Sequence, residues 1–341
     1  MARVVLAPDK FRGTVDAAGA VAAMATAATG LGWLTTPLPM SDGGEGFLDA
    51  AAVRCPSLVT TPVTGPDGRE VRAPWRHGEG IAVVESARAS GLTLAGGADR
   101  NDPLTASSRG TGELVVAAAR RVGAGGTVVV GLGGSATTDG GRGAVEAVEE
   151  AGGLGGVTLI GACDVDIGFL SAARRFGPQK GADARQVDEL TDRLADQARS
   201  YRDRYGVDVV SVARTGAAGG LGGGLLVLGG RLVSGFDVVS ELVGLAAAMQ
   251  GADRVVTGEG TLDATSFAGK LVAGVIAAAR AGGIATLVVA GRSTVEGEEQ
   301  ARAAGCEVTS LVDRFGERSA LDRTAACIAD VTAEWLGPAG A

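Results

Sequence analysis

Acidic residues recur where short apolar runs stop. Asp9 follows Val4-Val-Leu-Ala7, and Asp42 and Glu45 lie in Ser41-Asp-Gly-Gly-Glu-Gly46. Asp164 ends Gly161-Ala-Cys-Asp164, and Glu259 and Asp263 sit in Gly258-Glu-Gly-Thr-Leu-Asp263. A lone acid in such a place is usually a helix cap or a turn former. Several of them, each set among glycines, fit a metal and general-base cluster. Lys10, Arg12 and Lys180 would supply cations, Lys180 from Phe176-Gly-Pro-Gln-Lys-Gly181, where glycine and proline fix the loop. Metal-binding acids, a base for an attacking hydroxyl and cations for developing charge are the set that phosphoryl transfer needs.

A second signal is Gly131-Leu-Gly-Gly-Ser-Ala-Thr-Thr-Asp-Gly-Gly141, between an apolar run and a helix expected from near Arg142. Glycines there let backbone N–H groups converge on an anion, and a helix N-terminus adds positive potential. Its first six residues also match the dinucleotide turn G-x-G-x-x-A. Asp139 has two equal readings, a cap for the turn or a carboxylate holding Mg²⁺ beside a phosphate. A P-loop is absent: around Gly269-Lys270, Ala264 and Leu271 occupy the required Gly and Ser/Thr positions.

The elements that must position these groups alternate. Val4-Val-Leu-Ala7 reads as a buried strand, followed by a helix with Val21, Met24, Ala25 and Ala28 on one stripe and a strand from Trp33 to Pro37. Near the other end, Leu242, Leu245, Ala246 and Met249 make one helical stripe stopped by Gly251, and Val255-Val-Thr257 is a strand ending in Gly258-Glu-Gly260. Val272, Val275, Ile276 and Ala279 form the next stripe, and Thr286-Leu-Val-Val-Ala290 and Glu307-Val-Thr-Ser-Leu311 are further strands.

The middle is richer in glycine. It holds a β-ribbon around Gly65-Pro-Asp-Gly68, a strand at Thr127-Val-Val-Val130, and one long surface helix from Asp183 to Tyr205. The helix turns Val187, Leu190, Leu194, Tyr201 and Tyr205 inward. The pattern predicts an α/β protein of two domains, residues 1–60 with 240–341 and an insert at 61–239, with a site in the cleft between them. The first domain is a doubly wound parallel sheet with ligands at strand C-termini, and the second an α/β domain on a mixed sheet. His77 is expected on the ribbon surface with no catalytic role.

Composition narrows the function classes. The chain has 341 residues, 46% hydrophobic and 21% charged, which is globular composition, with glycine in excess at 57. A formal net charge of −8 and no basic arm argue against nucleic acid. Cys55, Cys163, Cys306 and Cys327 form no CxxC pair and read as reduced and buried. With His77 as the one histidine, a His-rich zinc site is excluded. The uncharged stretch 17–41 is long enough to span a bilayer, but alanine, threonine, glycine, Pro37 and Pro39 make it a soluble helix and its flank. With no signal peptide expected, the reading is cytoplasmic, without membrane partners.

Taken together, segments along nearly the whole chain resemble the bacterial glycerate kinase family, type 1 and similar to glycerate 2-kinases, which is distinct from the P-loop and sugar-kinase folds. They are, in order, Ala7-Pro-Asp-Lys-Phe-Arg-Gly-Thr14, Pro39-Met-Ser-Asp-Gly-Gly-Glu-Gly46, Glu85-Ser-Ala-Arg-Ala-Ser-Gly-Leu92 and Ser107-Ser-Arg-Gly-Thr-Gly-Glu-Leu114. Residues 131–141 follow, then Ala162-Cys-Asp-Val165, Phe176-Gly-Pro-Gln-Lys-Gly-Ala182, Gly216-Ala-Ala-Gly-Gly-Leu-Gly222 and Val256-Thr-Gly-Glu-Gly260 through Asp263. The resemblance implies a flavodoxin-like domain carrying a second α/β domain, ATP and Mg²⁺, D-glycerate as acceptor, and a phosphoglycerate product with the 2-phosphate ahead of the 3-phosphate. The partner is that small molecule, in a monomer or homodimer. Arg12 stands where the family has lysine, and the stretches 150–157 and 165–175 are shorter than is usual there.

Under this reading Asp42, Asp164, Lys180 and Arg12 are catalytic, with the identity of the base left open. Asp9, Lys10, Ser107, Ser108, Gly131, Gly133, Gly134, Ser135, Gly219, Gly220, Gly258 and Gly260 bind substrate and phosphates, and Glu45, Asp139, Glu259 and Asp263 take the metal. Two rivals remain. An NAD-dependent oxidoreductase would use the turn at 131–136 with Asp164, although that acid falls beyond the usual spacing of about 20 residues. A non-catalytic nucleotide-binding regulator would bind ATP without turnover.

Overall fold

The computed structural model describes residues 1–41, 43, 44, 46–267 and 271–340. Asp42 and Glu45 therefore lie outside the described residues. The chain divides into two compact units, Met1–Asp42 with Val239–Ala341, and Gly43–Val238. In chain order the strands are β1 (Arg3–Leu6), β2 (Leu34–Pro37), β3 (Ser57–Thr64), β4 (Glu70–Gly78), β5 (Ile81–Glu85) and β6 (Thr127–Gly131). They continue with β7 (Thr158–Ala162), β8 (Arg231–Val233), β9 (Arg254–Leu262), β10 (Ala285–Ser293) and β11 (Glu307–Ser310).

The terminal unit is a five-stranded parallel sheet in the order β11-β10-β9-β1-β2. Counted within the unit this is the flavodoxin-like order, and its topological switch point lies between β1 and β9. Its strands are apolar runs because helices cover both faces of such a sheet. Val4, Leu6, Val256, Leu287 and Val289 join Met24, Ile328 and Val331 in one core. Helix Ala17–Gly30 starts where the Asp16 carboxylate accepts the Gly19 N–H and buries Val21, Met24 and Ala28.

Two elements of this unit depart from the sequence reading. The stripe through Leu242 and Met249 is two helices, Gly235–Val243 and Leu245–Met249, broken at Gly244 with φ +70°. Strand β9 does not stop at Thr257 but runs through the glycines to Leu262, held by β10 in parallel register from Arg254↔Ala285 to Leu262↔Ser293.

The inserted unit is a six-stranded mixed sheet in the order β3-β4-β5-β6-β7-β8. Strands β3 and β4 form the antiparallel ribbon, turning at residues 65–68, and β5 to β8 are parallel. The boundary falls at Asp42 rather than near residue 60, because helix Phe47–Ala50 and β3 belong with this sheet. His77 is not on the surface. It is 8% exposed and accepts a hydrogen bond from Arg121 Nε, and burial beside that cation holds its pKa below the ordinary histidine value. Helix Ala184–Tyr205 opens on a reciprocal cap, Asp183 with Gln186, and buries Leu190, Leu194 and Tyr201 against Phe169 and Val209.

Candidate active site

In the terminal unit the predicted residues gather at the switch point. The Asp9 N–H donates to the Gly258 carbonyl (2.8 Å), tying the loop after β1 to β9. The Asp9 carboxylate accepts the Lys10 N–H (2.7 Å), and Lys10 Nζ is 3.9 Å from the same oxygen. Gly258 and Gly260 serve close approach: a Cβ would stand 2.1 Å from the Val289 carbonyl oxygen at the first and 2.9 Å from the Arg12 nitrogen at the second. Glu259 projects between them, half-buried, and Arg12 is exposed. Asp263 Oδ1 accepts from the N–H (2.7 Å) and hydroxyl (2.6 Å) of Thr265, which starts the turn after β9.

In the inserted unit the centre is the loop 131–141, beyond the C-terminal end of β6. Its carbonyls are drawn away in several directions. Gly134 O accepts the Leu92 N–H, Ala136 O accepts Asn101 Nδ2, Thr137 O accepts Lys180 Nζ, and Gly140 O accepts the Tyr201 hydroxyl. The N–H groups of Gly133, Gly134 and Ser135 are left without an acceptor among the described residues. Consecutive open N–H groups at a strand end form an anion-binding concavity.

Several predicted residues have other tasks. Gly131 and Gly133 let the loop pass close to residues 43 and 44, where a Cβ would stand 2.5 Å from the Gly43 carbonyl oxygen and 2.7 Å from the Gly44 Cα. Gly219 and Gly220 adopt φ +69° and +92° and press on the same loop, where a Cβ at Gly219 would lie 1.8 Å from the Thr137 carbonyl oxygen. Those two glycines brace the loop from behind.

Lys180 is 3% exposed, and its ammonium donates to Thr137 O at 2.5 Å. Burial pushes its pKa down to about 8, against the opposing pull of Asp139. Lys180, expected to grip the substrate, is thus a buried cation bonded to a carbonyl of the loop 131–141.

Asp139 is likewise a hub. Its Oδ2 accepts from the Ser108 N–H (2.8 Å), the Ser108 hydroxyl (2.7 Å) and the Gly143 N–H (3.2 Å), and its Oδ1 from the Gly141 N–H (3.0 Å). The geometry favours the capping reading over the metal reading, because three donors crowd Oδ2 and a fourth takes one of the acceptor sites of Oδ1. Ser108, fully buried, is consumed by Asp139 and the Ala144 N–H and does not face a phosphate. Ser107 is half-buried and, with Thr138, Asp139, Arg142, Arg193 and Gln197, lines a concavity of about 650 Å³. Asp164, just past β7, accepts from the Ser234 hydroxyl (3.0 Å) and the Gly235 N–H (2.7 Å), capping helix Gly235–Val243.

Four residues escaped the sequence reading. Glu85 ends β5 and is 3% exposed, accepting from the Leu48 N–H and Arg88 Nε, both at 2.9 Å. It carries the same signal as Asp9, an acid closing an apolar run. Asn101 and Tyr201 hold the loop from distant segments, and Arg214 takes φ +67°; the helical stripe marks Tyr201 as inward but not as a partner of the loop, and nothing local marks the other two.

The model of the glycerate kinase family matches residues 4–151 and 149–336. The chain belongs to the glycerate kinase family. It is similar to an uncharacterized protein of Mycobacterium bovis, 40% identical over 314 residues, covering 86% of this chain and 80% of that protein. The glycerate 2-kinase of Escherichia coli is 35% identical over 311 residues, covering 80% and 81%. The crystal structure of a protein provisionally named glycerate kinase 2, from Salmonella typhimurium LT2, superposes with TM-score 0.79 at 28% identity over 98% of both chains.

Family membership agrees with the structure in setting aside the dinucleotide reading. The helix after β6 begins only at Arg142, well past the glycine turn, and Asp164 caps a helix instead of standing free for a ribose. No helix among the described residues is long and apolar enough to cross a membrane. As for a metal, no group of three or more His, Cys, Asp or Glu among the described residues gathers as a site. Mg²⁺ is commonly held by only one or two carboxylates, with phosphate oxygens and water. Asp139, already holding four donors, fits that demand poorly, whereas Glu259, half-buried on the glycine stretch inside β9, fits it.

Proposed function

We propose that the protein transfers a phosphoryl group from ATP, with Mg²⁺, to a hydroxyl of D-glycerate. The product is phosphoglycerate, with the 2-phosphate preferred. The observation that carries the reading is the row of open N–H groups at residues 133–135, on a loop whose carbonyls at Gly133, Gly134, Ala136 and Thr137 are tied elsewhere. Such a row is preorganised for phosphate oxygens and needs no rearrangement as charge moves. The choice of acceptor and carbon follows the named relatives, the E. coli glycerate 2-kinase among them.

In this scheme Asp9, Lys10 and Arg12 at the β1/β9 switch point serve substrate and phosphoryl charge. Glu259 and Asp263 serve Mg²⁺, which would offset charge on the phosphates. Asp164 and Asp42 are the acids for the acceptor hydroxyl. Lys180, Asn101, Tyr201 and Gly219 hold the loop 131–141 in its open form. Phosphoryl transfer is mainly positioning and electrostatics, so loosening that loop costs rate without removing a reacting group.

The test is ADP release from Mg²⁺-ATP with and without D-glycerate, with the product read by phosphorus NMR. Glycerate-dependent ADP and a 2-phosphoglycerate resonance are expected. ATP binding with no turnover on glycerate would sink the proposal in favour of a regulator.

A further inference from the structure

Arg214 lies in the inserted unit, just before helix Ala217–Val227, and its backbone is held at φ +67°. That region is disfavoured for a side-chain-bearing residue, and glycine would occupy it freely. The strain is imposed by its surroundings. The Arg214 carbonyl accepts the Ala217 N–H (3.0 Å), Gly222 packs close against the same oxygen, and the Gly216 N–H donates to Ile167 O (2.9 Å). The side chain gains no hydrogen bond or ion pair among the described residues in return. Its Nε is sealed from solvent and has no hydrogen-bond partner among the described residues, a condition that is costly for a buried donor.

The guanidinium has a definite neighbourhood. The Gly216 N–H bond to Ile167 O ties this turn to the chain that leaves β7, and the positive field of Arg214 reaches the Cys163 thiol there. That is the C-terminal end of a parallel strand, where such sheets bind ligands. A strained backbone and a desolvated open donor, both at one strand end, are features that a functional site maintains and a stability-optimised turn does not.

We propose that Arg214 binds an oxyanion of the reactants, its Nε and one Nη forming a fork on two oxygens of a carboxylate or phosphoryl group. The inference rests on the kinase reading for the identity of those reactants. The fork geometry matches either anion, and a single ammonium would not reproduce it.

The test uses the full chain with Arg214→Gly, which relieves the backbone strain, and Arg214→Lys, which keeps the charge but not the fork. Arg214→Gly is expected to keep or raise the Tm while losing roughly 10–100-fold in kcat/KM, the span of a charge-assisted bond. Arg214→Lys should fall between it and wild type. A rise confined to KM for D-glycerate identifies the carboxylate as the anion, and a fall in kcat with both KM values held identifies the transferring phosphoryl group. Wild-type KM and kcat in a folded Arg214→Gly, or in Arg214→Lys should the glycine variant not fold, would overturn the proposal. If the wild type does not phosphorylate glycerate, the kinase reading fails by itself. Arg214 is then judged by calorimetric titration with inorganic phosphate: binding lost in the variants supports it, and binding unchanged or absent in the wild type overturns it.

Discussion

Replacing Lys180 by methionine should change how stability depends on pH. The folded-state pKa is depressed, to about 8 from an ordinary 10.5. Below pH 8 the folded protein carries the whole cost of a buried ammonium. As pH rises from 8 to 10.5 the folded state sheds that proton while the unfolded chain still holds it, so stability rises with pH. The gap corresponds to an order-of-magnitude gain of about 3 kcal/mol across that window. Methionine removes the titration but also the bond to Thr137 O, so one offset is constant and the other is not. The stability of Lys180→Met relative to wild type should therefore be better at pH 7 than at pH 10.5 by about that amount. The thiols of Cys55, Cys163 and Cys306, each raised to about 11 by burial, titrate in the opposite sense near this window, but they are common to both proteins and cancel. Urea or calorimetric unfolding of the two proteins at a series of pH values measures the difference. A constant offset from pH 7 to 10.5 would refute the buried-strut account. With Thr137 released, kcat should fall while the KM for glycerate stays near wild type if the role of Lys180 is to hold the loop; a rise in KM would instead put it on the substrate.

Three further outcomes follow from the same geometry. Asp139→Asn should lower stability by roughly 1–3 kcal/mol through lost caps, yet leave the Mg²⁺ concentration for half-maximal rate unchanged; a large shift in that concentration would restore Asp139 as a metal ligand. Gly219→Ala forces a Cβ against the Thr137 carbonyl at φ +69°; it should cost roughly 3 kcal/mol or more in unfolding free energy and nearly abolish turnover, and a variant as stable and active as wild type would contradict the brace. Glu259→Gln should raise the Mg²⁺ requirement of the ADP-release assay, and an unchanged Mg²⁺ titration would remove Glu259 from the metal set.

How much of this was legible beforehand depends on how local the cause is. The apolar run ending at Asp9, the helical stripe through Met24 and the cap at Asp183 are dictated by neighbours a few residues away, and each stands where periodicity and capping chemistry place it. The parallel sheets follow from the same alternation. Gly244 lies inside an unbroken apolar stripe, and only its positive φ, set by packing, splits the helix. The glycines of β9 read as a loop because glycine is poor in strands, but β10 supplies a full ladder of partners and overrides that preference.

The residue types alone determined the chemistry on offer: acids at strand ends, glycine loops and a few cations, with no thiol pair or histidine cluster. Tertiary structure alone decided which groups are spent on holding the fold. Asp139 and Lys180 look like ligands in one dimension, yet Ser108 and the Thr137 carbonyl claim them from dozens of residues away, with Gly141 and Gly143 adding local donors to Asp139. Arg214 looks like an ordinary turn residue, yet packing strains its backbone and leaves a buried Nε donor open. Hydrogen-bond satisfaction and burial depend on contacts across the whole unit, and one sequence shows neither.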